Sequence, residues 1–149
     1  MGILTAEITE FVKKTRLGFV ATVCPDGTPS LSPKGTTTVW DGDHLVFADI
    51  HSPGTINNLL TNPAIEINIV DVFSRKGYRF KGKGKVHSEG SVFEEICTYY
   101  KNAGSRYTIN NIALIKVEQV IPITSPIYDT GSTEEEVIKR WKDYWDTIY

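Results

Sequence analysis

The stretch from Gly18 to Pro63, GFVATVCPDGTPSLSPKGTTTVWDGDHLVFADIHSPGTINNLLTNP, limits the fold more than any other part of the chain. Runs rich in β-branched and aromatic residues are cut by Pro25-Asp26-Gly27 and by Asp41-Gly42-Asp43, both strong turn signals. A chain interrupted this often makes short strands joined by tight turns, not long helices. The strands read as Leu17 to Cys24, Pro29 to Trp40 and Leu45 to Ala48, which together suggest an antiparallel meander. A short helix from Ser52 to Leu60 follows, and Asn62-Pro63 ends it.

The remaining periodicities complete the outline. Thr5 to Thr15 reads as an amphipathic helix capped by Thr5, with Ile8, Phe11 and Val12 at helical spacing. Ala64 to Val72 alternates around Ile65, Ile67 and Ile69, and Gly77 to His87 and Ile112 to Ile123 read as two further strands. Val92 to Lys101 is helical in pattern. So is Thr133 to Ile148, where three glutamates suit the positive N-terminal end of a helix. This order predicts a mainly β fold with flanking helices, a six-stranded antiparallel barrel, in a single domain over residues 1–149.

Composition excludes several classes of function. Net charge is −2, so no global field draws the chain to nucleic acid or an anionic membrane, and neither is expected as a partner. No apolar run approaches the roughly 20 residues that cross a bilayer. The N-terminal MGILTAEITEFVKKTR carries acids and no long apolar block, so no signal peptide is expected there. Cys24 and Cys97 form no CxxC pair, and free thiols fit a reducing cytoplasm, the expected location. His44, His51 and His87 are dispersed, and no metal is expected.

Four segments could carry chemistry. Ser32-Pro33-Lys34-Gly35-Thr36-Thr37 offers an ammonium, hydroxyls and an open backbone, as a phosphate needs; it equally fits an ordinary strand edge. Ser52 to Asn58 lies at a predicted helix N-terminus, where free N–H groups attract anions, with Thr55 and Asn58 as further donors; a plain N-cap is the alternative. Brought together, these two segments would form one cradle for an anion. In Arg75 to Lys85, strand alternation places Arg79, Lys81, Lys83 and Lys85 on one face, either as a solvated edge or as a cationic wall. Trp141, Tyr144, Trp145 and Tyr149 share one face of the last helix, against the barrel or against a second subunit.

The ordered set GFVATV-x-PDGTP-x-L-SPKG, DGDHLVFAD, SPGT-x-NNLLTNP and YRFKGKGKV resembles the pyridoxamine 5′-phosphate oxidase-like flavoproteins over roughly residues 5 to 122. The resemblance implies a six-stranded split barrel and a homodimer, with FMN at the subunit boundary; the aromatic face of the 133–148 helix is then expected at that dimer interface. It implies that Ser32, Pro33, Lys34 and Gly35 run along the flavin and that Thr36 and Thr37 continue towards its phosphate. It places Ala48 and Asp49 beside the ring and Ser52, Thr55 and Asn58 at the phosphate. Relatives often carry a basic residue where this chain has Gly54, which leaves Lys34, Arg79 or Lys81 to meet the phosphate charge. The family's true oxidases recognise their substrate through an Arg and a His near the C-terminus, where this chain has acids and aromatics. The expected activity is therefore FMN-dependent hydride or electron transfer to another small molecule. A non-enzymatic electron carrier or flavin store, and a deazaflavin- or haem-binding relative, stand as alternatives.

Overall fold

The computed structural model describes residues 2–149. Seven strands form a single antiparallel sheet: β1 Gly18–Val23, β2 Pro29–Lys34, β3 Thr38–Val39, β4 His44–Asp49, β5 Ala64–Asp71, β6 Lys76–His87 and β7 Asn111–Thr124. Four α-helices accompany it: α1 Ala6–Thr15, α2 Pro53–Thr61, α3 Ser91–Asn102 and α4 Glu134–Ile148. A 3-10 turn at Pro126–Thr130, with no counterpart among the sequence expectations, leads into α4.

The sheet has one strand more than expected, because the segment Pro29 to Trp40 is not continuous. It breaks at Gly35–Thr37, where the Thr37 hydroxyl donates to the Lys34 carbonyl (2.8 Å) and closes a turn. The expected meander fails for the same reason. β2 pairs with β1, β3 pairs with β4, and the strand order is β2-β1-β5-β6-β7-β4-β3. The two halves of one sequence run are thus the two opposite edges of the sheet.

That placement dictates the curvature. In a flat seven-stranded sheet the edges would stand about 29 Å apart, at roughly 4.8 Å per strand. Lys34 and Thr38 lie at opposite edges, yet the chain between them can span at most about 14 Å. The sheet therefore curls until its edges approach at the Gly35–Thr37 bend, giving the antiparallel half-barrel on which the site is built.

The inside of the curl is packed with alternate residues of each strand. Val20, Leu45, Phe47, Ile67, Ile69, Phe80 and Ile115 are buried there, with Ile8 and Val12 of α1 against them. β4 is buried on both faces: Leu45 and Phe47 point inward, while Val46 and Ala48 pack outward against Ile96 and Tyr100 of α3. This explains the continuous apolar run Leu45–Ala48 in place of an alternating one. α2 lies close over β6 at Gly84, where a Cβ would stand 3.1 Å from a Leu59 methyl.

Candidate functional site

Two segments distant in sequence meet at the N-terminus of α2. The Lys34 ammonium donates to the Ser52 hydroxyl at 2.6 Å, bridging 18 residues and joining the end of β2 to the start of α2. Lys34 is buried (8% exposed), because residues 32 and 34 of β2 point into the curl while Leu31 and Pro33 point out. Ser52 is the N-cap of α2 but makes no side-chain cap bond; its hydroxyl faces Lys34 instead. Pro53 has no N–H, so the N–H groups of Gly54 and Thr55 remain at the open helix end.

Asp49, at the end of β4, sets this geometry. It is 4% exposed. One carboxylate oxygen accepts from the Ser52 N–H (2.6 Å) and the other from the Asn111 side chain (2.9 Å). The Asp49↔Asn111 register of β4 and β7 places that amide. Burial pushes the Lys34 pKa below its ordinary value, and the Asp49 charge opposes that shift without cancelling it. The bend beside Lys34 is also fixed. The Thr36 hydroxyl accepts from the Ala48 N–H (2.9 Å), taking the ladder position that β3 does not reach. The Tyr100 phenol donates to the Thr36 carbonyl (2.7 Å), and burial holds its pKa far above the usual range, so this phenol keeps its proton.

Lys34, Ser52, Asp49, Ala48 and Thr36 therefore form one constellation, with Gly35 exposed at the bend and Thr37 closing it. Thr55 is buried in the first turn of α2. Asn58 is turned away: its amide donates to the Thr22 hydroxyl (3.1 Å) and contacts the Cys24 sulfur (3.7 Å), fastening α2 to β1. Pro33 lies on the outer face.

Arg79 and Lys81 do not reach Lys34 within one chain. The register aligns Arg79 with Asn68, Phe19 and Pro33, one row across the outer face, while Lys34 points inward. Both cations turn instead to Glu66, at 3.0 Å for Arg79 and 3.9 Å for Lys81. Asn111 and Tyr100 were missed in the sequence. Asn111 acts through a strand register no local pattern encodes, and Tyr100 reads as one more apolar position of a helix.

The donor set suits a phosphate: an ammonium, a hydroxyl and two N–H groups at a helix start. Ser32 Oγ, on the same inward row as Lys34, is shielded from solvent with no partner among the described residues. The charge is less complete. Asp49 offsets Lys34, whereas a phosphate monoester carries close to two negative charges.

At the far end, α4 docks by its first turns. Lys76 pairs with Glu134 (3.0 Å) and the Arg75 guanidinium stacks on Trp141 at 3.7 Å. Beyond them a ladder of rings, Trp141–Tyr144–Trp145–Tyr149, runs along the helix at centroid spacings of 5.5, 5.4 and 5.7 Å. Its end is open, with Tyr144 48% and Tyr149 96% exposed. No helix among the described residues is long and apolar enough to cross a membrane.

Comparison with known proteins places this architecture. The family model described as pyridoxamine 5′-phosphate oxidase matches residues 4–122. The solved HupZ protein of Group A Streptococcus is 27% identical, with a TM-score of 0.74 over 83% of this chain and 96% of that one. A proposed pyridoxamine 5′-phosphate oxidase of Lactobacillus delbrueckii is 24% identical, with a TM-score of 0.68 over 79% of this chain and 93% of that one. An FMN-binding protein of Syntrophomonas wolfei is 15% identical, with a TM-score of 0.63 over 78% and 88% of the two chains. Likeness at the latter two identities shows the fold alone. Among curated proteins none matches the chain significantly. The family match spans most of the sequence, from α1 into the last residues of β7, ending at residue 122, and on it the chain belongs to the pyridoxamine 5′-phosphate oxidase family of split-barrel proteins.

Proposed function

We propose that the chain binds FMN and acts as a flavin-dependent oxidoreductase on a small molecule, in the cytoplasm. The observation that carries this is the Lys34 Nζ–Ser52 Oγ contact at 2.6 Å, which sets a buried cation against an uncapped helix N-terminus. In this reading the flavin phosphate lies on the Gly54 and Thr55 N–H groups beside Lys34 and Ser52. The ring and ribityl chain follow Ser32 to Thr37, past Ala48. Asp49 is a positioning residue that holds Ser52 and does not touch the phosphate. The flavin supplies the redox chemistry; the protein orients it and limits solvent.

The unmet phosphate charge and the open aromatic face of α4 point to a homodimer, with the second subunit covering one edge of the site. Nothing resembling the Arg and His pair of the true oxidases follows β7, since His87 is the last histidine of the chain. Pyridoxamine phosphate is therefore not the proposed substrate.

A carrier or flavin store is the second reading. It is favoured by one observation: the side-chain groups around the bend are already engaged, Tyr100 on Thr36, Thr36 on Ala48 and Asp49 on Ser52 and Asn111. Those side chains are therefore occupied and not free to assist a reaction. An absorbance spectrum of the purified protein tests flavin binding: flavin bands support it, and a colourless protein that takes up no added FMN refutes it. Steady oxidation of a reduced nicotinamide by the yellow protein separates enzyme from carrier.

A further inference from the structure

α4 lies beyond residue 122, where the family match ends, so that match does not account for it. Val137, Ile138, Trp141, Tyr144, Trp145 and Ile148 recur every three or four residues and make one apolar stripe along the helix. Its own subunit covers only the first half of that stripe. Val137 is buried and Trp141 lies under the Arg75 guanidinium, whereas Tyr144 and Ile148 stand open, Ile148 at 50% exposure. No glycine or proline interrupts α4, so nothing kinks it. With its first turns fixed at the β5–β6 turn, its second half does not fold back onto the same sheet.

A second open apolar surface lies on the same chain. On the outer face of the β1–β2 hairpin, the register sets Phe19 beside Pro33 and Ala21 beside Leu31. Phe19 is 40% and Leu31 68% exposed. β2 is also an edge strand, and Pro29 and Pro33 blunt it against pairing with a further strand. What settles here therefore lies across the face, as a helix does, and not along the edge.

Charge matches the two surfaces. α4 carries five acids against three bases. β6, two strands from β1, carries five bases and no acid, and its Lys83 and Lys85 make no ion pair among the described residues. An acidic helix with an aromatic stripe thus suits an apolar hairpin flanked by lysines.

We propose that α4 is a bridging helix: its open half lies across the outer face of the β1–β2 hairpin in a second copy of the chain, and the second copy's α4 returns the contact. The exchange is reciprocal, so the assembly closes as a twofold dimer. The inference rests on the homodimer in the reading above and names the two surfaces that make it. Flavin binding is not required for it.

The test uses the full chain and sedimentation velocity over a dilution series, which reads the mass and the dimer dissociation constant. Ile148→Lys on the helix and Leu31→Lys on the hairpin are compared with the native chain, with Ile148→Ser and Leu31→Ser as milder forms. Both positions are exposed within one subunit, so each variant should fold, as circular dichroism checks. Each lysine variant should weaken the dimer at least about tenfold, the scale of one large apolar side chain left uncovered. Four results would each overturn the proposal: a native monomer at every concentration, a dimer that neither substitution weakens, a loss confined to one of the two positions, and a mass that keeps growing with concentration. Flavin absorbance on the same samples separates the two readings. A dimer that both substitutions weaken but that takes up no FMN supports the bridging helix and fails only the flavin reading. A dimer that holds FMN and resists both substitutions overturns the bridging helix and leaves the flavin reading standing.

Discussion

Two basic regions of this molecule invite comparison. β6 carries Arg79, Lys81, Lys83 and Lys85, all exposed on one face; β2 contributes the single buried Lys34. By count β6 is the electropositive element. By physics it is the weaker one: its charges face water, and Arg79 and Lys81 share Glu66, an exposed arrangement worth little. Lys34 is withdrawn from water, held at 2.6 Å to Ser52, and set at the open end of a helix. A cation in that setting acts over a short distance in a medium that screens poorly. The placement of a charge, more than the number of charges, decides how strongly it could hold an anion, and this is why the proposed flavin phosphate is put at Lys34.

The contrast can be broken or sharpened by substitution. The largest effect should come from β6, through its backbone. A Cβ at residue 82 would collide with the Lys116 carbonyl oxygen, at the β-bulge between Lys81 and Gly82, and backbone cannot move aside as a side-chain tip can. Gly82→Ala should cost about 3 kcal/mol in denaturant unfolding, at the upper end of overpacking effects. An unchanged midpoint would mean that β6 is not held as described.

Lys34→Met comes next. Losing charge-assisted bonds worth about 1.5–3 kcal/mol should weaken FMN binding roughly 10- to 150-fold in a fluorescence titration. Arg79→Met and Lys81→Met should change it less than about twofold, since exposed pairs contribute little. Equal losses in all three variants would reverse the comparison.

The same lysine sets a pH dependence. Its folded pKa lies below its unfolded value of 10.5, so between the two the unfolded chain binds more protons and stability rises with pH. A bound phosphate favours the protonated amine. FMN affinity should therefore fall as pH rises through the depressed pKa, below 10.5, and Lys34→Met should flatten that slope. An affinity in the native protein that is flat across this window would contradict the assignment.

Tyr100→Phe is the smallest of the set. It removes the bond to the Thr36 carbonyl and should cost about 1 kcal/mol, read from the denaturation midpoint. Because the folded pKa of this phenol is raised above 10.0, its stabilisation is complete below that value and lost as pH rises beyond it. Loss of the alkaline decline in Tyr100→Phe would confirm which phenol causes it.

Much of this was legible in the sequence. Turn residues and strand periodicity located nearly every element, and Thr5 caps α1 as expected, its hydroxyl accepting from the Ile8 N–H; α4 begins one residue later than expected, with Thr133 as its N-cap. The two donor-rich segments around Lys34 and Ser52, singled out from sequence, do meet in the fold. What was not legible depends on long-range register. The break at Gly35–Thr37 looks locally like any run of β-branched threonines; only the divergent pairing of β2 and β3 reveals it. Arg79 and Lys81 stand on the face away from Lys34 within one chain, which depends on how β1, β2, β5 and β6 align. The pairing of Asp49 with Asn111 across 62 residues has no local signal at all.

The most direct measurement compares FMN with riboflavin on the unmodified protein by calorimetric titration. The two ligands share ring and ribityl chain and differ only in the phosphate. If the α2 N-terminus and Lys34 hold that phosphate, FMN should bind at least about tenfold more tightly, the equivalent of roughly 1.4 kcal/mol. Equal affinities would mean that no phosphate rests there.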